Sequence, residues 1–406
     1  MLNPDIATPE FKANPWPFYA RLRAEFPVHR VTLSDKRVAW LVTRYDDVFS
    51  VLRDERIAKD RFQALSPDQM ARQPWIPKMF MPLVHNMLDQ DPPDHTRLRG
   101  LVHKAFTPRL VEAMRERIQA LTNELLDAVV RRGRMELVRD YALPLPSTII
   151  AQMLGIPPRD RHKFHRWSSS LLSIDISKWG MLKGIPPLAS FLRYIRKLVK
   201  SRSAHPGDDL VSALLEAREA GEQLSEDEMV AMIFLLLIAG HETTVNLIGN
   251  GTLALLEHPD QLEKLKNDPT LIKSAVEELL RYDGPLETAT ERFTKEDVTV
   301  AGVTIPQGEL VFAALASANR DERQFKNPAS LDLGREDNKH VAFGFGAHYC
   351  LGAPLARLEA QIAFQTLLQR CPELRLAVPR GRLRWKRGLV LRGLRALPVA
   401  FAALKQ

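Results

Sequence analysis

Apolar residues recur at spacings of three and four along residues 18–26, 111–130, 143–154, 188–199, 210–217, 229–256 and 271–280. This recurrence follows the 3.6-residue helical turn, so each segment is read as a helix with one buried face. Alternation with period two is confined to residues 28–42 about a Ser34-Asp35 turn, to residues 298–314 with turns at Ala301-Gly302 and Gln307-Gly308, and to residues 383–401. The pattern predicts a mainly α protein with small β-sheets, an α+β class. Proline and glycine fall between elements, and neither an internal repeat nor a low-complexity tract is present.

One predicted helix stands apart. Ser225 and Glu228 are spaced as a capping box, and the helical period then continues to about residue 256. At about 1.5 Å per residue such a helix is on the order of 45 Å long, enough to cross a whole domain. Its middle carries Ala239-Gly240-His241-Glu242-Thr243-Thr244. A glycine inside a helix costs about 1 kcal/mol, and the polar run interrupts the apolar face. Taken alone, the segment fits a solvated patch or a kink as well as it fits a site.

Composition narrows the class. The chain has 406 residues, 45% of them apolar and 26% charged, and a net charge of +8. These fractions exclude a disordered, collagen-like or mainly membrane-embedded chain, and the length suffices to enclose a cofactor. Two cysteines, Cys350 and Cys371, make no disulfide framework. The N-terminal stretch has no basic segment followed by an apolar run, and the longest apolar stretch, residues 229–239, falls short of the roughly 20 residues that span a bilayer. A cytoplasmic protein without membrane attachment is the expectation. Basic residues are dispersed, without zinc-finger spacing or an aromatic RNA-binding signature, so nucleic acid is not expected and an acidic protein partner accounts for the charge.

The strongest local signal is Phe343-Gly344-Phe345-Gly346-Ala347-His348-Tyr349-Cys350-Leu351-Gly352-Ala353-Pro354. Glycines on both sides of Cys350 free the backbone for a tight loop, and residues 352–368 read as a helix. Cys350 then lies just before a helix N-terminus, where N–H groups and the dipole favour thiolate over thiol. A thiolate held in an apolar loop is a soft ligand suited to iron. Cys371 lacks such surroundings and reads as a small buried hydrophobe.

This segment resembles the haem-ligand signature of the cytochrome P450 superfamily, which runs Phe, two residues, Gly, one residue, His or Arg, one residue, Cys, one residue, Gly. Phe343, Gly346, His348, Cys350 and Gly352 fill its positions. Glu278-Leu279-Leu280-Arg281 is similar to the family's Glu-x-x-Arg pair. Asp94-His95-Thr96-Arg97-Leu98-Arg99, with Ala105-Phe106-Thr107-Pro108-Arg109, looks like its third helix. Ala318-Asn319-Arg320-Asp321, with Phe325 and Pro328, is a further marker, although Glu322 stands where proline is usual. By spacing alone, Glu278 and Arg281 would be a surface ion pair, and His95 and Arg99 part of a solvated basic face. The resemblance covers essentially the whole chain, with the motifs in the family's order.

The resemblance implies the cytochrome P450 fold: a single catalytic domain over residues 1–406, a triangular helical haem domain with a long central helix, and no fused reductase or ferredoxin domain. It implies haem b (iron protoporphyrin IX), with Cys350 as the metal ligand. His95, Arg99, Arg292 and His348 would meet the propionates, and Ala239, Gly240, Phe343, Gly344, Gly352 and Ala356 would lie against the cofactor. Glu278 and Arg281 become a structural pair bracing the haem core. Ser330 stands where a third arginine is usual, which leaves Arg320 or Arg335 to fill that place. Glu242 and Thr243 become the acid and alcohol of an oxygen-binding groove, suitable groups for relaying protons.

The activity so implied is a monooxygenase that hydroxylates or epoxidises a lipophilic small molecule of polyketide, terpenoid, steroid or fatty acyl type, in secondary metabolism. It would use O2 and two electrons that pass from NAD(P)H through a separate ferredoxin reductase and ferredoxin. A monomer is expected, with Arg97, Lys104, Arg109 and Arg357 on an electropositive docking face. By resemblance the substrate walls come from residues 75–85, 171–188, 234–239, 286–290 and 389–391, with Val84, Phe234, Ala239, Leu286, Ala289, Leu389 and Val390 as lining residues and Glu287 reaching inward. Two other readings are a peroxide-driven haem peroxygenase, against which the Glu242-Thr243 pair argues, and a catalytically silent haem-binding protein that recruits partners.

Overall fold

The computed structural model describes residues 4–71, 80–160, 163, 178–218 and 221–403, with the backbone alone for residues 178–184. The chain forms two compact units. The first comprises Met1–Gln73, Arg115–Pro144 and Thr243–Gln406, and the second Pro74–Met114 and Leu145–Glu242.

The first unit holds the sheets. Strands Val28–Thr32 and Val38–Val42 form the predicted hairpin, with Lys36 taking the left-handed position at φ 68° and Leu33 N–H bonding to Arg37 O at 2.8 Å. Val38–Val42 then runs parallel to Leu310–Ala313, which pairs antiparallel with Arg292–Thr294, and that strand with Ile57–Ala58, giving one five-stranded sheet. Val298–Val300 and Val303–Ile305 make a separate hairpin closed at Ala301 and Gly302, both with positive φ. One core packs Val42, Val48, Val311 and Phe325 beneath the five-stranded sheet, and a second packs Leu247, Leu279, Ala360 and Phe364 between helices.

Two predictions need correction here. Residues 111–130 are not one helix but two, Pro108–Ala113 and Arg115–Asp127. The first is capped on its own, by Thr107 Oγ1 accepting from Leu110 N–H with Pro108 at the first turn. The alternation over residues 383–401 yields only one short strand, Pro398–Ala400, between Arg134–Glu136 and Arg375–Leu376. Further upstream, its backbone groups are taken by another segment: Arg392 N–H bonds to Pro285 O and Glu287 N–H to Val390 O, both at 2.8 Å.

The second unit is helical and includes Asp94–Ala105, Lys178–Ala204 and Leu210–Glu216, with Leu98, Leu101, Phe191, Ile195, Leu214 and Ile233 buried. The long helix runs from Glu226 to Glu257 without a break. Its capping box forms as expected: Ser225 N–H donates to Glu228 Oε2 at 2.8 Å, and Glu228 N–H to Ser225 Oγ at 3.3 Å. Among the described residues this is the one helix long and apolar enough to cross a membrane, and 61% of the qualifying window is buried inside the protein, as in a core helix.

Candidate active site

The cysteine loop is built by local rules. Gly344 and Gly346 take φ of 70° and 73°, a region costly for other residues, and a Cβ at Gly346 would lie 2.9 Å from Leu52 O. Residues 346–348 form one 3-10 turn carrying His348. Cys350 N–H returns to Phe343 O at 3.0 Å, and Ala353–Arg370 follows as a helix with Gly352 as its N-cap and Ala356 in its first turn. Cys350 is therefore half-buried at the positive end of an 18-residue helix. Cys371 is fully buried, and burial pushes its thiol up to about 12. A Cβ at position 352 would meet the Cys350 sulfur at 4.0 Å, an ordinary van der Waals contact.

Two polar clusters hold this loop. Glu277 is half-buried, which by itself raises a carboxyl's pKa, yet Arg357 (2.7 and 2.8 Å) and His340 (3.1 Å) hold it down at about 2. His340 Nδ1 accepts from Ala342 N–H, so Nε2 carries the proton given to Glu277. Arg357 also lies over the Phe343 ring at 4.5 Å and donates to Tyr349 Oη at 3.2 Å. The second cluster centres on Glu278 and Arg281, which are fully buried rather than a surface pair and meet through two 2.8 Å hydrogen bonds. Arg281 also donates to Asn319 O, Pro328 O and Ser330 O. Asn319 Oδ1 accepts from Val341 N–H at 2.8 Å, which carries the cluster to the start of the cysteine loop.

Arg335, not Arg320, supplies the third member, with Nε 3.0 Å from Glu278 Oε2. Arg320 instead donates to Tyr282 O and stacks 3.6 Å from the Trp16 ring centroid. Glu322, where proline is usual, receives Arg23 at 3.1 Å.

The middle of the long helix stays helical throughout. Ala239 is exposed, Phe234, Leu235, Leu236, Ile238, Gly240 and Thr243 are half-buried, and residues 244–255 are buried. Leu236, Ala239, Gly240 and Thr243 follow the spacing 0, 3, 4, 7, so they share one partly accessible stripe on which three of the four side chains are small. Glu242 is buried off that stripe, and His241 bonds through Nδ1 to Leu237 O at 2.8 Å. A residue missed in the sequence lies nearby: Glu359 of helix Ala353–Arg370 is buried, which raises its pKa to about 8 against an opposing hydrogen bond from Thr244. Its signal was a carboxyl among Leu355, Leu358, Ile362 and Ala363 on a buried helix face.

Arg292 is buried in its strand, opposite Val311. His95 and Arg99 lie in helix Asp94–Ala105 of the second unit; His95 is buried rather than solvated, and burial, then the Arg99 charge, lower its pKa, with Asp91 opposing. Among the described residues no group of three or more His, Cys, Asp or Glu side chains is placed to hold a metal ion. An iron ion held by Cys350 would need further ligands from outside the described residues, which a porphyrin supplies. Arg292 and His348 lie in the first unit and His95 and Arg99 in the second, and each is of the donor type that a propionate takes. By its chemistry, a thiol at a helix N-terminus with donors of this type fits haem.

Of the substrate-wall residues, Val84 and Phe234 are half-buried in the second unit, and Phe234 meets Phe191 edge-on at 6.0 Å. Residues 75–79 and 171–177 lie outside the described residues. In the first unit the structure brings Leu286, Ala289, Leu389 and Val390 into two adjoining segments, joined by a bridge between Leu286 and Leu391. Glu287 does not reach inward: its carboxylate is buried against Lys12 and Tyr19. The expected electropositive face is weaker than the sequence suggests, because Arg97 pairs with Glu228 and Glu222, and Arg357 with Glu277.

Residues 188–377 match the family model Cytochrome P450. The chain is 47% identical over 389 residues to cytochrome P450 107B1 of Saccharopolyspora erythraea, covering 94% of this chain and 93% of that one. It is 44% identical to the polyketide biosynthesis cytochrome P450 PksS of Bacillus subtilis, covering 97% of both. Among solved structures, myxobacterial cytochrome P450 CYP267B1 in complex with myristic acid superposes with a TM-score of 0.92 at 44% identity, covering 98% of this chain and 99% of that one.

Proposed function

The chain belongs to the cytochrome P450 family and is a haem-thiolate monooxygenase, and on that premise we propose that it hydroxylates or epoxidises a lipophilic polyketide, fatty acyl, terpenoid or steroid compound. When bound, the haem activates O2 with two electrons and delivers one oxygen atom to the substrate. The observation that carries the site assignment is Cys350, half-buried in a glycine-bounded loop at the N-terminus of a buried helix. A helix N-terminus favours the thiolate, the form that ligates iron.

Around that ligand the chain's own groups divide the work. Arg292, His348, His95 and Arg99 would hold the propionates. Ala239, Gly240, Ala356, Phe343, Gly344 and Gly352 would offer small or flat surfaces to the macrocycle. Glu242 is a buried carboxyl beside Thr243 in the chain, so it can pass protons while the Thr243 hydroxyl, on the accessible stripe, receives and orients them. Glu359, with a pKa of about 8, is a second group able to hold a proton near neutrality. The half-buried aliphatic side chains of Leu286, Ala289, Leu389 and Val390 form an apolar wall without fixed charge, because Glu287 is turned away.

Redox partners supply the electrons. In this reading they are an acidic ferredoxin and a NAD(P)H-dependent reductase, and the protein is a cytoplasmic monomer working as one catalytic domain. The test is turnover of a compound that binds with a haem spin-state shift, using a surrogate ferredoxin and reductase. Product should require O2 and NADPH together. Equal turnover from hydrogen peroxide alone would favour a peroxygenase, and haem binding without product from any binder would favour a silent scaffold.

A further inference from the structure

Polarity is inverted along residues 286–290. Glu287 and Thr288 are about 1% exposed, whereas Leu286, Ala289 and Thr290 remain half-buried, as do Leu389, Val390 and Leu391 in the segment alongside. The acid is turned away from the aliphatic groups, which stay half-buried, Leu286 and Ala289 against one core and Leu389 and Val390 against another. Each oxygen of the buried carboxylate has its own donor: Lys12 Nζ lies 2.6 Å from Oε2, and Tyr19 Oη 2.7 Å from Oε1. The same ammonium reaches Leu389 O at 3.4 Å. One cation from the N-terminal helices therefore touches both segments, and Arg392 anchors it further by bonding to Lys12 O and, at 2.6 Å, to Asp283.

Physical economy argues that this cluster is not there for stability alone. Withdrawing an ammonium and a carboxylate from water is expensive, and apolar residues of similar volume usually fill such a place as well or better. Burial lowers the pKa of Lys12, with the attraction of Glu287 opposing. What an apolar trio cannot supply is direction: short charge-assisted bonds fix Glu287, and through Lys12 fix where Leu389 lies relative to it.

We propose that Lys12, Tyr19 and Glu287 are positioning residues for substrate selection, setting the spacing between residues 286–290 and 389–391 and so the shape of the apolar wall. This rests on the assignment of those two segments to the substrate site.

The test uses full-length haem-loaded protein and two iron-binding probes, imidazole and 4-phenylimidazole, titrated by their spectral shifts. Only the phenyl-bearing probe needs room beside the iron, so the ratio of the two affinities reports wall shape without knowledge of the substrate. Leu286→Ala and Leu389→Ala test the wall itself. Lys12→Met, Glu287→Gln and the milder Tyr19→Phe test the cluster, with the melting midpoint and the reduced carbon monoxide spectrum as checks on fold and haem. The expected result is a change in the ratio of about tenfold in the cluster variants at unchanged imidazole affinity, and about threefold in Tyr19→Phe. The double variant Lys12→Met with Glu287→Gln should regain most of the melting midpoint lost by either single change while keeping the altered ratio. If wall variants move the ratio and cluster variants only lower the midpoint, the cluster is structural and the proposal falls. If the wall variants leave the ratio unmoved, the wall assignment falls and takes the proposal with it. Recovery of the ratio in the double variant also overturns it.

Discussion

Arg335 Nε donates to Glu278 Oε2 at 3.0 Å, from a position five residues beyond Ser330, whose carbonyl accepts from Arg281 and from Arg335 itself. A side chain entering from downstream therefore completes a buried charge cluster that its neighbour in sequence leaves open, and the backbone of Ser330 serves as the common acceptor.

Arg335→Met removes one of several donors to Glu278, which keeps Arg281, the Asp332 N–H and Asn338. Its cost should be about 1–3 kcal/mol in denaturant unfolding of the haem-loaded protein. Arg281→Met removes both 2.8 Å bonds to the fully buried Glu278 together with the donor to the Asn319 and Pro328 carbonyls, and should cost about 3–5 kcal/mol with loss of haem. Equal effects of the two changes would deny the cluster this hierarchy.

Cys350→Ala should abolish the red-shifted Soret band of the reduced protein under carbon monoxide, whereas Cys371→Ala should keep it and lose only about 1 kcal/mol of packing. The contrast follows from a half-buried thiol at a helix N-terminus and a fully buried one held protonated. A band that survives in Cys350→Ala refutes the ligand assignment.

Thr243→Ala should still bind haem and consume NADPH but release the reducing equivalents largely as hydrogen peroxide. Glu242→Gln, an amide of similar shape that cannot relay a proton, should slow turnover by roughly 10²-fold. Product and peroxide per NADPH consumed are the readout. Unchanged coupling in Thr243→Ala removes the basis for its role.

Glu359 gives a pH dependence of definite sign. Its pKa rises on folding from 4.5 to about 8, so between those values the folded state holds a proton that the unfolded state has released. Stability from this group is therefore lost as pH rises through that window, with no cost below it and a constant cost above it. Glu359→Gln should remove the slope, gaining on the order of 2 kcal/mol relative to wild type between pH 6 and pH 8. Parallel stability curves for the two proteins would contradict the assignment.

What depends on residues a few positions apart was legible in the chain. The capping box of Ser225 and Glu228, the hairpin over residues 28–42 and the glycine-bounded loop around Cys350 rest on backbone sterics and local hydrogen bonds, so each formed where its pattern lies. The long helix was visible because its periodicity is continuous.

What tertiary structure decided was the partner of each charged group. Glu278 and Arg281 have the spacing of a surface pair, and only packing from residues 319–338 turns them into a buried hub. Glu287 was expected at the substrate, but Lys12, distant by 275 positions, draws it into the interior. Residues 383–401 alternate like strands, yet part of their backbone pairs with residues 285–287. A side chain's type and its neighbours along the chain set its intrinsic preferences. Whether it is desolvated, and by which distant group it is then satisfied, is fixed only when the elements pack, because burying an unpaired charge is prohibitive and the partner that prevents it can come from anywhere in the chain.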